Sequence, residues 1–541
     1  MKLNAQGIVN REEWISKGYK LPEFDRGAMI EATKKAPYWI HFGNGNIFKA
    51  FQANVVQNLL NSGDLDRGLT VAEGFDYEII EKMNRPLDDL NILVTLKVNG
   101  SIEKIVIGSI AESLILDSDN EEQFNRLKEI FEKDSLQMAS FTITEKGYSL
   151  VNAHNETIPA VAEDFEAGPE KPGSYMGKVA SLLYARYKAG EKPIAMVSMD
   201  NCSHNGDKLK AAILAFAQEW TENGTADKGF WDYVNEPSKV TFPWSMIDKI
   251  TPRPDDSVKK ILAEDGVEPI EPVITSRNTY VAPFVNSEET EYLVIEDAFP
   301  NGRPALEKGG IIFTDRETVD KVEKMKVCTC LNPLHTCLAI YGCLLGYTKI
   351  SDEMKDAELV KLVETVGYKE GLPVVVDPGI IAPRDFIDTV LKIRVPNPFM
   401  PDTPQRIATD TSQKLAIRFG ETMKAYIRSD TLKVESLRII PLVLAGWLRY
   451  LMAVDDQGTT FTLSPDPLLE TVKVYTDQLV LGDNKDMESI ISPVLHMEQV
   501  FGVDLYEAGL AGTVLSYLEE LTTGIGAVRN TLKKHLGEGN A

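Results

Sequence analysis

The feature that most constrains the fold of this chain is a repeated switch between two hydrophobic periods. Residues 38–42 (YWIHF) form a short apolar run, glycines interrupt it at positions 43 and 45, and apolar residues then recur at helical spacing over residues 48–60. Further strands are predicted at 68–73, 92–98 and 104–110 (a hairpin), 137–144, 193–199 and 291–297, and helices at 120–133, 174–188 and 207–220. This alternation predicts an α/β fold, with an N-terminal Rossmann-like doubly wound sheet that carries helices on both faces.

The length of 541 residues exceeds one ordinary core and predicts two domains. Strands become rare after about residue 300, and helical patterns dominate there. We therefore expect a dinucleotide-binding domain over residues 1–300 and a mainly α-helical substrate-binding domain over residues 301–541. Within the first domain, residues 1–34 are expected to form a polar, irregular surface arm. The turn-rich segment 221–240 is expected to be an insertion.

Charge and cysteine content narrow the possible partners. The net charge of −24 disfavours nucleic acid, and an anionic small substrate would need a local basic pocket. Five cysteines are too few for a disulfide scaffold, which favours a reducing cytoplasm. The N-terminus lacks the apolar core of a signal peptide, and the apolar stretch Ile439–Leu448 is too short to span a bilayer. We expect a soluble cytoplasmic protein without a membrane partner; its oligomeric state stays open.

The glycine turn is a candidate dinucleotide site. Gly43 would permit the tight turn, and Gly45 would let the backbone approach a pyrophosphate at the helix start, beside Asn46. The third glycine of the usual fingerprint is replaced by Phe48, so an ordinary strand–helix turn is the alternative. Glu73, at the end of the second strand, would hold the adenosine ribose and favour NAD over NADP. The alternative for Glu73 is a solvated strand end.

A second candidate site surrounds a lysine, an asparagine and a histidine. Asn332 and Pro333 are typical of a helix start, where a proline loses no hydrogen bond, and His335 would lie in the first turn beside Asn332. Lys326 precedes them by one short loop. Burial among apolar neighbours generally lowers the pKa of a lysine toward the range that a general base needs.

Polar residues also follow the strand at 193–199. Asn201 and Asn205 come directly after it, where open α/β sheets bind their ligands. Their amides could donate hydrogen bonds to a substrate oxygen. The alternative is structural: Asn205 would cap the next helix and Asn201 would close a turn.

These segments together resemble the polyol-specific long-chain dehydrogenases, the mannitol dehydrogenase family, over roughly residues 38–505. The resemblance rests on the glycine turn with Phe48-Lys49-Ala50, where family members usually have arginine for Lys49. It further rests on TITEKGY (142–148), MDNCSHNG (199–206), SMIDKITP (245–252), VIEDAFPNGRP (294–304), EKMK (323–326), LNPLHT (331–336) and RIATDTSQK (406–414).

The resemblance implies a metal-free, NAD-dependent alcohol dehydrogenase that acts on a small sugar acid or polyol. Lys326 would be the general base, and Asn332 with Asn201 would donate hydrogen bonds to the reacting oxygen. Asn205 is a second candidate for the latter role. His335 would orient the substrate. Glu323 would help protons reach solvent.

The resemblance also implies a substrate-binding set. Asp248, Arg406 and Lys414 match positions that contact the substrate chain. Arg406, Asp410 and Lys414 would share one face if they lie in one helix; a surface ion-pair ladder is the alternative. The family acts on hexuronates and on hexitols. The total length and the segment 392–414 favour the hexuronate branch over the pair mannitol and fructose. Within that branch D-fructuronate and D-mannonate are the expected substrates, and tagaturonate is an alternative.

One spacing departs from the family pattern. The asparagine and the histidine usually follow the lysine by five and eight residues, but here they follow Lys326 by six and nine. We expect the loop before Asn332 to absorb the extra residue; Lys324 is the other lysine in reach. The altered spacing also leaves open an NAD-binding sensor without catalysis. A zinc site is the other alternative, but Cys328, Cys330, His335 and Cys337 do not have zinc-ligand spacing.

Overall fold

The structure is a computed structural model that describes residues 1–483 and 486–537. The chain forms two compact units. Unit 1 comprises Met1–Lys97 and Ser101–Asp320, and unit 2 comprises Val98–Gly100 and the residues from Lys321 onward.

A six-stranded parallel sheet is the centre of unit 1. Its strands, in chain order, are β1 (Trp39–Phe42), β2 (Leu69–Glu73), β3 (Ile110–Ile115), β4 (Met138–Phe141), β5 (Ile194–Ser198) and β6 (Val240–Thr241). Their order across the sheet is β3-β2-β1-β4-β5-β6, and every neighbouring pair is parallel. This is the order of two mononucleotide-binding halves that meet between β1 and β4. The predicted doubly wound sheet is confirmed.

Each face of the sheet has its own apolar core. Along β5, Ile194 and Met196 pack into one core, whereas Ala195 and Val197 pack into the other. Alternate side chains of a strand point to opposite faces, so a near-continuous apolar run indicates a strand covered on both sides. The first core includes the helices Glu121–Glu132, Tyr175–Lys188 and Asn205–Glu222; the second includes Arg26–Lys35 and Ala53–Asn61.

Unit 1 also contains smaller sheets and helices. The strands Tyr19–Lys20, Ile102–Ile107, Asn91–Leu96 and Phe284–Glu288 form one sheet; Ser245–Asp248, Tyr292–Glu296 and Ile312–Thr314 form another; Val273–Ile274 and Tyr280–Val281 form a two-stranded hairpin. The remaining α-helices are Arg11–Ser16, Pro159–Ala167, Gly229–Asn235 and Asp256–Asp265, and the helix Arg316–Met325 begins in this unit; π-helical turns lie at Phe48–Gln52 and Ile80–Asn84. The predicted hairpin is present, as Asn91–Leu96 antiparallel to Ile102–Ile107. Its second strand ends earlier than expected, because the chain turns at Gly108 and enters β3.

Two expectations about unit 1 are wrong. Residues 1–34 are not an irregular arm: they form two helices and an edge strand, and Trp14 is fully buried. The segment 221–240 is not an insertion, because its helix Gly229–Asn235 buries Phe230 and its end enters β6, the edge strand of the main sheet. In both cases a few apolar residues within polar sequence make the contacts.

The division between the units falls at Asp320, beyond the residue 300 expected from the sequence. The reason is that Ile312–Thr314 pairs in parallel with Tyr292–Glu296. The turn cluster at 299–304 therefore connects two strands of one sheet.

The regular secondary structure of unit 2, over its described residues, is helical, as predicted. Its α-helices are Asn332–Leu345, Ile350–Glu353, Ala357–Glu364, Pro383–Thr389, Pro404–Ile407, Thr411–Leu415, Glu421–Arg428, Ile439–Tyr450, Leu469–Thr476, Met487–Leu495, Glu498–Phe501, Ala511–Leu521 and Ala527–Leu536. Its π-helical turns are Lys326–Cys330, Thr365–Gly371, Val390–Arg394 and Ala416–Gly420. Within the described ranges, one helical stretch, Arg316–Leu345, has the length and apolar character of a membrane span. Because 72% of its most apolar stretch is buried, it has the features of a core helix.

Candidate active site

The glycine turn follows β1 and has the geometry that a dinucleotide needs. Gly43 has φ +104°, and a Cβ on it would lie 2.3 Å from the carbonyl oxygen of Thr142, so only glycine fits there. The amide of Lys49 donates to the carbonyl oxygen of Gly45 at 3.3 Å, which starts the helix directly after the turn, at half-buried Asn46. No described protein atom lies within 4 Å of a Cβ built on Gly45. The turn thus fits the pyrophosphate of NAD, which would bind to the amides at this helix start.

Phe48 is a further cofactor-binding candidate predicted at this turn, but its side chain lies in the core. Its ring is fully buried and stacks on His41, with ring centroids 4.4 Å apart. Both ring nitrogens of His41 are hydrogen-bonded, to the hydroxyls of Ser140 and Thr142. Burial lowers the pKa of His41 to about 3, so this histidine is neutral. The Phe48 side chain therefore supports the turn from the core and does not face a cofactor.

Glu73 ends β2 and is tied to the glycine turn. Its carboxylate accepts hydrogen bonds from the backbone amides of Asn44 (2.9 Å), Phe75 (2.8 Å) and Asp76 (3.1 Å). The side chain is buried, so the alternative of a solvated strand end is wrong. Lys49, where the family usually has arginine, is also buried. Burial lowers its pKa to about 8, against the opposing charge of Glu73.

The segment after β5 is fixed by Asp200. Its carboxylate accepts hydrogen bonds from the amides of Ile143 (3.0 Å) and Thr144 (2.8 Å) and from the Tyr148 hydroxyl (2.5 Å). Burial raises the pKa of Asp200 despite these bonds. Asp200 thus fastens the loop after β4 to the loop after β5.

Asn205 and Asn201 differ in burial: Asn205 is fully buried and Asn201 is exposed. The fully buried Asn205 amide nitrogen lies within 3.0 to 3.2 Å of four acceptors, the carbonyl oxygens of Ser198, Asp200 and Ser245 and the Ser245 hydroxyl. Its carboxamide oxygen accepts from the Ser245 amide at 3.0 Å. This group has no donor left for a substrate, so a catalytic role for Asn205 does not fit the structure. Asn201 is exposed at the same loop and stays the candidate donor.

Asp248 is the remaining expected site residue of unit 1. It is the last residue of the strand Ser245–Asp248, and its side chain is buried.

In unit 2, Lys326 begins a π-helical turn. The amide of Leu331 donates to the carbonyl oxygen of Lys326 at 3.1 Å, a bond that spans five residues. The extra residue relative to the family spacing is therefore absorbed inside the helix, and not in a loop as expected. Lys326 is 4% exposed, whereas Lys324 is exposed. Glu323 lies half-buried one turn earlier on the same helix.

Asn332 and His335 follow on the next helical turn. Asn332 is the first residue of its helix and not the residue before it, and Pro333 follows inside the first turn. Among residues 1–483 and 486–537, no group hydrogen-bonds to the Asn332 side-chain amide. The His335 ring is 18% exposed, and its Nε2 lies 3.6 Å from Oδ2 of Asp402. Burial lowers the pKa of His335 to about 4, and the charge of Asp402 opposes this shift.

A basic cluster surrounds His335. The positive charges of Arg418, Arg394 and Arg406 all act on His335 and lower its pKa. Arg418 donates to the hydroxyl of Thr336, the neighbour of His335, at 2.5 Å. Burial lowers the pKa of Arg418 to about 10. In a chain of net charge −24 this is the local basic site that an anionic substrate requires.

The two expected substrate-binding cations of unit 2 belong to this cluster. Arg406 pairs with Asp402, and Lys414 donates to the carbonyl oxygen of Thr409 at 2.5 Å. Burial lowers the pKa of Lys414, and Arg418 lowers it further. One continuous helix through them is wrong, because Asp410 has φ +55° and separates Pro404–Ile407 from Thr411–Leu415.

The sequence reasoning missed three members of the cluster. Arg418 continues the four-residue spacing of Arg406 and Lys414, a signal that could have identified it. Arg394 and Asp402 lie in the segment that favoured the hexuronate branch, but no local pattern marked them. Lys326, Arg394 and Arg418 each lie in a π-helical turn, an element often found at functional sites.

All five cysteines are free thiols. Burial raises the pKa of Cys330 and of Cys343 to about 12, so both are protonated. Within residues 1–483 and 486–537, no three His, Cys, Asp or Glu side chains are grouped to hold a metal ion. Metal-independent chemistry stays a prediction.

Comparisons with known proteins match both parts of the chain to the same kind of protein. Residues 38–308 match the family model of the mannitol dehydrogenase Rossmann domain, and residues 318–522 match that of the mannitol dehydrogenase C-terminal domain. D-mannonate oxidoreductase of Thermotoga maritima is 51% identical over 539 residues, which cover 99% of each chain. Polyol:NADP oxidoreductase of Gluconobacter oxydans is 29% identical, over 79% of this chain and 83% of its own length. The structure of Pseudomonas fluorescens mannitol 2-dehydrogenase in a ternary complex with NAD and D-mannitol aligns with a TM-score of 0.68 at 27% identity, covering 99% of this chain and 100% of that one.

Proposed function

This chain belongs to the mannitol dehydrogenase family, and we propose that it is an NAD-dependent oxidoreductase whose substrates are D-fructuronate and D-mannonate. The enzyme would reduce the ketone of the first to the secondary alcohol of the second, or run the reverse reaction. The basic cluster around His335 is the observation that supports these substrates. Arginine side chains bind carboxylates well, and mannitol and fructose have no carboxylate.

NADH, when bound at the glycine turn, supplies the hydride. The residues of the chain supply the proton and the orientation. Lys326 gives its proton to the carbonyl oxygen as that oxygen gains negative charge, and takes the proton back in the oxidation. Asn332 donates a hydrogen bond to the same oxygen, and the family resemblance gives Asn201 the second. Neutral His335 hydrogen-bonds a substrate hydroxyl, and Glu323 passes protons to solvent.

Asp248, Arg406 and Lys414 would contact the rest of the substrate chain. Arg394 and Arg418 extend the positive charge and would favour a carboxylate end. The proposal places the reaction in the cytoplasm, where five free cysteines stay reduced.

A substrate panel tests the proposal. The purified enzyme is assayed with NADH on fructuronate, tagaturonate and fructose, and with NAD on mannonate and mannitol. We expect kcat/KM for fructuronate to exceed that for fructose by about 10- to 150-fold, since one charge-assisted pair contributes about 1.5–3 kcal/mol. Preference for fructose would indicate a mannitol 2-dehydrogenase, and preference for tagaturonate the other hexuronate reductase. Cofactor binding without turnover on any substrate would indicate a sensor.

A further inference from the structure

An aromatic ring and an arginine form a pair beside the end of β2. Phe75 follows the last residue of β2 by two positions and is 62% exposed. The guanidinium carbon of Arg277 lies 4.9 Å from the centroid of its ring, a cation–π arrangement. Both side chains reach solvent at the carboxyl edge of the main sheet, the edge at which such sheets bind nucleotides.

Arg277 is held in place by a two-stranded hairpin. It lies at the tip between the strands Val273–Ile274 and Tyr280–Val281. The Thr275 hydroxyl donates to Asp76 at 2.6 Å, and the amide of Ser276 approaches Glu78 at 3.4 Å. The hairpin tip is therefore fastened to the segment that follows β2.

The carboxylates at this strand end are engaged inside the protein. Glu73 accepts three backbone hydrogen bonds, and buried Asp76 accepts the one from Thr275. Arg277 forms no ion pair with any residue in 1–483 or 486–537. Arg277 is thus the cation that the end of β2 offers to a ligand, and the neighbouring carboxylate of Glu78 is paired with Lys82.

In Rossmann folds the end of the second strand lies beside the 2′ position of the adenosine ribose. An acidic residue there binds the hydroxyl of NAD, and a nearby arginine accommodates the phosphate of NADP. We propose that Arg277 binds the 2′-phosphate of NADP and that Phe75 stacks on the adenine, so that the enzyme uses NADP as well as NAD. This rests on the proposed function only in taking a nicotinamide dinucleotide as the cofactor.

Direct binding tests the proposal without any sugar substrate. The dissociation constants of NADH and NADPH are measured by cofactor fluorescence for the wild type, R277A, F75A and R253A. Arg253 is the matched control, because its guanidinium stacks 4.1 Å from the ring of Tyr280 on the same hairpin.

We expect NADPH to bind the wild type within about tenfold of NADH. R277A should raise the dissociation constant of NADPH about 10- to 100-fold and that of NADH less than threefold, as loss of one charge-assisted contact predicts. F75A should raise the dissociation constants of both cofactors about tenfold, as loss of a stacked base predicts. R253A should change neither. NADH binding without measurable NADPH binding in the wild type would overturn the inference alone, as would an unchanged NADPH affinity in R277A. Failure of both cofactors to bind would overturn the proposed function as well.

Discussion

The backbone amide of Leu331 donates to the carbonyl oxygen of Lys326, five residues earlier and 3.1 Å away. An α-helix would place this bond four residues back, so the turn contains one additional residue. The turn ends at Cys330, the next helix begins at Asn332, and Lys326 stays buried. The longer spacing between Lys326 and Asn332 is thereby a feature of the helix.

Deletion of Cys328 should test this turn. Removing one residue would restore an α-helical turn and the family spacing between Lys326 and Asn332. Because the π-helical turn accommodates the extra residue, both side chains should keep their relative orientation. We expect kcat of the deletion variant to stay within about threefold of that of C328A, which keeps the residue count and is the control, with the melting temperature little changed. A deletion variant that loses about 100-fold in kcat relative to C328A would contradict the account.

The two asparagines after β5 should separate catalysis from stability. N201A should lower kcat about 100-fold, as loss of one donor to a developing oxyanion predicts, and should not change the melting temperature. N205A should lower the free energy of unfolding by about 2–4 kcal/mol, because it removes a fully buried hydrogen-bonded amide. Activity assays and urea unfolding of both variants give the answer. The reverse assignment would show that Asn205 is the catalytic residue.

Arg406 should contribute to recognition of the carboxylate. R406Q should raise KM for fructuronate about tenfold or more and change KM for fructose less than threefold, because only the first substrate carries a charge. R428Q, at the end of the helix Glu421–Arg428, is the matched control and should change neither. Equal losses for both substrates would contradict a role in carboxylate binding.

Glu353 should make stability depend on pH. Both its oxygens are buried, neither has a hydrogen-bond partner within residues 1–483 and 486–537, and burial raises its pKa from 4.5 to about 10. The folded chain therefore keeps a proton that the unfolded chain loses above pH 4.5, so stability falls as pH rises from there toward 10.

The variant E353Q should remove that loss. Its free energy of unfolding should exceed that of the wild type by about 1–3 kcal/mol at pH 8, and the difference should be close to zero at pH 4. E364Q, at an exposed position in the next helix, is the control. Urea unfolding at both pH values measures the gap; a gap that does not depend on pH would contradict a protonated Glu353.

Local sequence patterns predicted the strands, turns and helices whose conformation depends on neighbouring residues. The strand, glycine turn and helix at 39–61 follow from a change of period, and the required glycine at position 43 follows from its close approach to Thr142. The resemblance assigned Lys326, Asn332 and His335 to one site. These residues share one stretch of chain, so their order alone places them near each other.

Local sequence patterns could not predict contacts between residues that lie far apart along the chain. Asn205 is structural because of Ser245, forty residues later, and no spacing predicts that bond. Trp14 packs against Tyr19, whose strand pairs with residues 104 and 105 far along the chain, and this pairing gives the apparent arm its structure. Arg394 and Arg418 come to His335 from separate helices. The π-helical turn at Lys326 was invisible because one inserted residue leaves the apolar pattern of the helix almost unchanged.

The measurement that tests the central claim most directly is the activity of K326A beside its NADH affinity. Lys324, two residues earlier and exposed, gives the matched control K324A. We predict that K326A loses at least about 10³-fold in kcat, as loss of a general acid–base group does, while its dissociation constant for NADH and its melting temperature match the wild type. K324A should retain full activity. A K326A enzyme that keeps a tenth or more of the wild-type rate, or an inactive K324A, would contradict the account.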